Sequence, residues 1–331
     1  MEDLSTEAGT DLAGRVAGRL SRAQGCLLGQ LAGDALGSQV EFQWPEAIRR
    51  GYPAGVRRLA DSTIWNTIAG QPTDDSEMAL MLARSLAERG VYDAAEVRKA
   101  YVFWLRSGPF DCGNTVRSAL NGHLLGDSQA NGAMMRVSPL GIFGANHSLE
   151  QVAAWAMEDA RLTHPHLVCQ QANALFAMAI AFAVREGPDA AALFGEIRLW
   201  ADELRVEEAL LRRIDRAETE VPGDFMQMMG WVLIAFQNAL WQLVHAPSLE
   251  EGIVDTVMRG GDSDTNAAIA GALLGAVYGR GAVPGQWVET LLRCRPRAGD
   301  PRVFRPRPEV FWPVDALELA ARLLRSGTSA T

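Results

Sequence analysis

The chain has 331 residues, 48% of them hydrophobic and 21% charged, enough apolar material for one large domain or two smaller ones. Its formal net charge of −9 argues against a nucleic-acid surface and against docking on an anionic membrane. The four cysteines, Cys26, Cys112, Cys169 and Cys294, form no CxxC pair. Neither a disulfide framework nor a zinc knuckle is therefore expected, and a reduced, cytoplasmic location fits.

In chain order, residues 1–20 begin with Glu2 and Asp3 and lack the apolar run of a signal peptide, so they read as a flexible N-terminal extension. Next comes a glycine at every fourth position: Gly25, Gly29, Gly33 and Gly37, with Asp34 inside the line. That spacing puts the glycines on one helix face. Each costs about 1 kcal/mol in a helix interior, so the line needs a compensating gain, and close backbone approach of buried helices is the physical candidate. The helix is expected to end near Gly37 and Ser38. Glu41 then falls on a loop, where taken alone it reads as exposed.

"MALMLARSLAERG" places Met78, Leu82 and Leu86 on one helix face and stops at Gly90, a C-cap glycine. "GWVLIAFQNALWQLVHAP" is apolar over several turns and halts at Pro247. A second glycine line follows at Gly271, Gly275 and Gly279. Residues 293–308 hold six arginines and four prolines, which predicts an irregular, solvated surface loop. "DALELAARLLRSG" is a last helix. Asn121-Gly122 and Asn131-Gly132 lack flanking strand patterns. The longest apolar runs, 172–184 and 267–277, fall short of the roughly 20 residues that span a bilayer. The expectation is an all-α protein, with residues 21–331 forming a single domain and no membrane or nucleic-acid partner.

Two stretches carry the chemistry. "PTDDSEMAL" sets Thr73, Asp74 and Asp75 ahead of a helix, and "GGDSDTNAAI" does the same with Asp262, Asp264 and Thr265. One aspartate at each place can be a helix cap, and Asp74 with Glu77 fits a capping box. The second aspartate of each pair then has no structural duty. Four carboxylates and two hydroxyls, all oxygen donors, suit a hard divalent cation and are poor for zinc. They would also suit two metals held together. An EF-hand is disfavoured, because its sixth and twelfth positions would be Ala267 and Leu273.

These stretches, with "GDALGSQVEF", "DCGNT", "NGAMMRVSPLG" and "THPH" in this order, resemble the ADP-ribosylglycohydrolase family over roughly residues 21–290. The resemblance implies an all-α orthogonal multi-helix bundle and a pair of Mg²⁺ or Mn²⁺ ions. Thr73, Asp74, Asp75, Asp262, Asp264 and Thr265 match the metal ligands. Glu41, Asp75 and Asp262 match groups assigned to catalysis. Asn114, Asn131, Gly132, Ala133, Met134, Arg136 and His164 match the substrate cleft. The chain has His164-Pro165-His166 where arginine-type bacterial members are expected to have His-Asn-His.

Without the resemblance, these residues have plainer readings. Asn114 is a turn residue or cap, Arg136 the partner of a surface carboxylate, His164 a helix cap, and the methionines core. The implied activity is hydrolysis of the N-glycosidic bond between ADP-ribose and a protein side chain, arginine first, reversing mono-ADP-ribosylation. The implied partners are an ADP-ribosylated protein and an ADP-ribosyltransferase, enzyme or toxin, met through the N-terminal extension by a regulator or immunity protein. The alternatives are a non-catalytic ADP-ribose binder or transferase blocker, and a hydrolase of serine-linked or O-acetyl-ADP-ribose.

Overall fold

The computed structural model describes residues 3–327. Helix α1 (Asp3–Gly37) runs into a turn that carries Glu41, and α2 (Pro45–Gly51) leads to an irregular strap. Then come α3 (Asp74–Arg89), α4 (Ala94–Arg106) and α5 (Asn114–Leu120), followed by a 3-10 turn, Met134–Arg136, that leads into α6 (Ser138–Gly144). Helices α7 (Leu149–Arg161) and α8 (Leu167–Glu186) pack on each other, and α9 (Ala190–Glu203) and α10 (Glu208–Arg216) follow. Helices α11 (Val232–His245), α12 (Leu249–Val257) and α13 (Ser263–Tyr278) bring the chain back to α1. Helices α14 (Gly285–Arg293) and α15 (Ala316–Ser326) close it. Among the described residues there is no strand, only the isolated bridges Ser62–Thr67 and Ala130–Trp231. The all-α expectation holds.

The two glycine lines meet each other. A Cβ built on Gly29 would lie 2.1 Å from the carbonyl oxygen of Gly271, and one built on Gly25 would lie 2.4 Å from that of Gly275. The helices run antiparallel, so the line ends at Gly37, where a built Cβ would lie 2.4 Å from the Cα of Asp264. No side chain fits between the backbones, and glycine is the residue that permits the approach. Ser263 Oγ donates to the Gly37 carbonyl at 2.9 Å and fixes the register at that end.

The N-terminal stretch differs from expectation. From Asp3 it forms the opening turns of α1, because it is proline-free and rich in Ala, Leu and Arg. Arg19 donates to the Ala145 carbonyl and to Asn146, and Arg22 donates to the Val184 carbonyl at the end of α8. Residues 1 and 2 lie outside the described residues. The arginine- and proline-rich segment also departs from a purely solvated loop. Arg307 is buried and forms a two-pronged ion pair with Glu77 of α3, at 2.7 Å to each carboxylate oxygen. Glu77 is thereby withdrawn from the capping box anticipated with Asp74. The N-cap of α3 is Thr73, and its side chain makes no cap bond.

Helix α8 is long and apolar enough to cross a membrane by length and composition, but 89% of its apolar window is buried inside the fold. It reads as a core helix.

The glycine contact predicts an asymmetric pair of variants. Gly29→Ala should lower the free energy of unfolding by about 3 kcal/mol, the cost of overpacking against unyielding backbone. Gly195→Ala, on an exposed stretch of α9 with nothing within 4 Å, should raise it by up to about 1 kcal/mol. Urea titration of both against the parent checks this, and equal effects would refute the packing account.

Candidate functional site

Three helix ends converge on one place. Asp34 comes from the last turn of α1, Thr73, Asp74 and Asp75 from the start of α3, and Asp262, Asp264 and Thr265 from the start of α13. Asp262 is the N-cap of α13, yet its side chain makes no cap bond either. The positive ends of two helix dipoles therefore face a group of carboxylates that are free for other work. Gly260 and Gly261, both at φ near 70°, turn the chain into α13. A Cβ at either would lie 2.3 Å from a carbonyl oxygen, of Gln43 and of Phe225 respectively.

The hydrogen bonds show a shortage of donors. Asp34 accepts from the backbone N–H of Thr73 at 3.2 Å and of Ser76 at 3.1 Å. Thr73 Oγ1 lies 3.0 Å from Asp34 Oδ1 and 2.9 Å from Asp75 Oδ2, and its single hydrogen can serve only one of them. Asp75 Oδ1 is buried with no partner. Asp74 accepts from Gly113 N–H at 3.1 Å, and Asp262 accepts from the Asn131 amide at 2.7 Å. Glu41 is buried rather than exposed, and its Oε2 takes the indole N–H of Trp65 at 2.5 Å.

Electrostatics follow from that crowding. Burial, partly offset by the bonds from Ser76 and Thr73, raises Asp34 to about 7. Burial and then the charge of Asp262 raise Glu41 to about 8. Asp111, in the loop before α5, is driven to about 10 by burial and by Asp74 beside it. Asp75 and Asp264 are raised well above the carboxylate range by burial and by neighbouring carboxylates. In a protein without cations Glu41, Asp75, Asp111 and Asp264 are pushed toward holding protons at neutral pH, and Asp34 sits near its midpoint.

This set fits hard divalent cations. Asp34, Asp75 and Asp264 each offer an oxygen within 4.8 Å of the others, and so do Glu41, Asp262 and Asp264. Asp264 belongs to both groups, which suits two adjacent ions with one shared ligand. All donors are oxygen, and the orphaned Asp75 Oδ1 is the kind of buried acceptor that a cation satisfies.

A cleft of about 410 Å³ opens over the carboxylates. Of the residues singled out in the sequence, Glu41, Asp74, Asn114, Asn131, Gly132, His164, Asp262, Asp264 and Thr265 line it. Thr73 and Asp75 are buried and are not part of its wall. Three of the substrate-matched residues lie away from the cleft wall. Ala133 and Met134 are fully buried and do not line the cleft. Arg136 is also fully buried. Its guanidinium pairs with Asp159 at 3.1 Å, bonds Thr163, and stacks over the Tyr101 ring at 4.4 Å. A charge buried this deeply needs its counter-ion, and none of it is left for a ligand. His164 does not cap a helix, because α8 begins at Leu167 with His166 as its cap.

The sequence reading missed several wall residues, chiefly Asp111, Phe42 and Met229. Asp111 sits in the quoted "DCGNT" stretch, and its position two residues before a Gly-Asn helix start was the available signal. Phe42 adopts φ 63°, a strained turn for a bulky residue, and stacks edge-on against Trp65, which in turn contacts Phe110.

The ADP-ribosylglycohydrolase family profile matches residues 15–326. The chain belongs to the ADP-ribosylglycohydrolase family. It is 31% identical over 281 residues to the ADP-ribosyl-(dinitrogen reductase) glycohydrolase of Rhodospirillum rubrum, covering 82% of this chain and 90% of that one. It is 30% identical over 291 residues to an ADP-ribosylarginine hydrolase of Pseudomonas putida, covering 82% and 74%. A solved structure titled as an ADP-ribosylglycohydrolase-related protein complex superposes with a TM-score of 0.76 at 29% identity, over 93% of this chain and 99% of that one. As a member of this family the protein is a hydrolase of ADP-ribose linkages, and the acidic centre lies where the helices of the ADP-ribosylglycohydrolase fold converge.

The raised carboxyls give a signed prediction for the protein held in chelator. They keep protons in the folded state that they lose in the unfolded chain, so folding takes up protons. Stability should decline as pH rises from about 4, the ordinary carboxylate value, through about 7 and 8, where Asp34 and Glu41 titrate, to about 10, where Asp111 does. Mg²⁺ or Mn²⁺ should raise the melting temperature more at pH 8 than at pH 5, and Asp75→Asn should remove most of that increment. A melting temperature indifferent to either ion would sink the metal assignment.

Proposed function

We propose that the protein is a Mg²⁺- or Mn²⁺-dependent hydrolase that cleaves the N-glycosidic bond between ADP-ribose and a protein arginine, reversing mono-ADP-ribosylation. The observation that carries the linkage is an excess of negative charge. Asp34, Glu41, Asp74, Asp75, Asp262 and Asp264 gather at or beneath the cleft floor, more carboxylates than two divalent ions would neutralise. The surplus suits a cationic leaving group, and Phe42 on the cleft wall adds a ring face that a guanidinium can stack on. A serine hydroxyl or an acetyl ester makes no use of either feature.

Asp75, Asp262 and Asp264, with Asp34 beside them and the family-matched Thr73, Asp74 and Thr265, would hold the ions. When bound, the ions would supply positive charge and would lower the pKa of a water. The chain's own groups do the rest. Glu41, held by the Trp65 indole, accepts a proton from the attacking water once positive charge in the site has restored its carboxylate. Asp262 is oriented by the Asn131 amide, and Asp75 Oδ2 lies 2.9 Å from Thr73 Oγ1. Asp111, protonated by its surroundings, has the proton that a departing nitrogen needs. The bond breaks through an oxocarbenium-like state that the nearby carboxylates favour.

With Arg136 withdrawn, the cleft wall has no lysine or arginine among the described residues. The pyrophosphate of ADP-ribose then meets neutral donors, such as Asn114, Thr115 and His164. Reversal of a modification suits a regulator of, or an antidote to, an ADP-ribosyltransferase. The four unpaired cysteines fit action in the cytoplasm.

A panel of defined linkages tests the reading. ADP-ribosyl-arginine should release free ADP-ribose with divalent ions and not with chelator, faster than serine-linked or O-acetyl substrates. Glu41→Gln should lower kcat by a factor of about 10² or more while leaving ADP-ribose affinity within a few-fold. Metal-dependent binding of ADP-ribose with no turnover of any linkage would instead make the protein a reader.

A further inference from the structure

His164 presents a problem of hydrogen-bond accounting. Its side chain is fully buried and is part of the cleft wall, yet Nε2 has no partner. A Cβ added at Gly132 would lie 3.3 Å from that nitrogen, so the glycine leaves the ring edge uncovered. The other nitrogen, Nδ1, lies 2.8 Å from Thr163 Oγ1.

Thr163 settles which nitrogen carries the hydrogen. Arg136 Nη1 donates to Thr163 Oγ1 at 2.9 Å, and a guanidinium can only donate. The guanidinium is itself held, through Nε to Asp159 Oδ2 at 3.1 Å and Nη2 to the Asp159 carbonyl at 2.9 Å. Tyr101 holds the other carboxylate oxygen of Asp159 at 2.8 Å. Thr163 has one hydroxyl hydrogen, and its hydrogen-bond neighbours among the described residues are Arg136 and His164 Nδ1. A hydrogen on Nδ1 would leave the buried Thr163 hydroxyl hydrogen unpaired.

We infer that Arg136 and Thr163 are positioning residues for His164. Arg136 donates to Thr163, Thr163 donates to Nδ1, and the imidazole is held as the neutral tautomer with its hydrogen on Nε2, ready to donate to an acceptor oxygen of the ligand. Burial and the nearby Arg136 charge drive His164 down to about 3, which keeps the ring uncharged. The ligand oxygen is a phosphoryl or sugar oxygen of ADP-ribose, a step that rests on the function proposed above. The buried ion pair thus acts on the cleft without touching it. Its charge orients a neutral donor that faces an anionic ligand among carboxylates.

The test uses the full chain in Mg²⁺ with ¹⁵N-labelled histidine. Long-range ¹H–¹⁵N correlation reads each ring's tautomer, and His164→Gln assigns the signal. The parent and Thr163→Ser should show hydrogen on Nε2, with ADP-ribose affinities within about twofold of each other. Thr163→Val should lose that preference and bind ADP-ribose about tenfold more weakly, the worth of one oriented hydrogen bond. A parent with hydrogen on Nδ1 overturns the inference. So does a Thr163→Val variant with unchanged tautomer and affinity, or a Thr163→Ser variant that behaves like Thr163→Val. Failure of the parent to bind ADP-ribose at all would count against the proposed function, while the tautomer measurement would still decide the relay.

Discussion

The backbone contact between α1 and α13 is the constraint on which the rest depends. Two helices that touch through glycine along three turns cannot slide or rotate without collision. That rigidity fixes where each helix ends. Asp34 near the C-terminal end of α1 and Asp264 at the N-terminal end of α13 are brought together because Gly37 abuts the Asp264 backbone. The start of α3 then docks through the bonds from Thr73 and Ser76 to Asp34. Asp34 is thus as much a joint as a site residue. It ties the first acidic stretch to α1, the helix that packs against the one carrying the second.

A protein that buries this many carboxylates accepts an unfavourable arrangement at neutral pH. The helix dipoles and backbone N–H groups offset part of it, but Asp75 keeps an unpaired oxygen and Thr73 cannot satisfy both its neighbours. Such a deficit is tolerated where function needs it, and positive charge from outside the chain is what the site lacks. The elements that build it, α1, α3 and α13, are also among the most deeply packed, so the rigid core supports the part of the molecule that would otherwise repel itself.

Much of this was legible in the sequence, for identifiable reasons. The glycine lines were visible because a four-residue spacing has one geometric meaning in a helix. The two acidic stretches stood out because a helix start needs one cap, and each offered more than one carboxylate. Helix ends at Gly90 and before Pro247 followed from local stereochemistry. What was not legible depended on tertiary placement. Nothing local distinguishes Arg136, which pairs with Asp159 in the core, from an arginine that meets a ligand. Arg307 has the same ambiguity. It lies in a segment whose composition reads as solvated, yet it neutralises Glu77. Asp111, Phe42 and Met229 come from loops, where no periodicity marks the face that will line a cavity.

The arginine- and proline-rich segment shows how such a placement reaches the chemistry. Arg307 anchors it to α3 through Glu77, and Trp104 donates to the same carboxylate. Two residues earlier, Arg305 donates to the Trp65 carbonyl, and its own carbonyl accepts from Gln71. The strap before α3 is therefore pinned from outside. Ser62 pins it from within by donating to the Ser38 carbonyl while accepting from Trp65 N–H. Trp65 is left little freedom, and its indole N–H is directed at Glu41. A glutamate on a turn has several rotamers open to it, and each would cost entropy to select when a ligand arrives. Here the selection is made by packing that starts at a segment remote in sequence. Glu41 is thus oriented by the fold before any substrate binds, as electrostatic preorganisation requires.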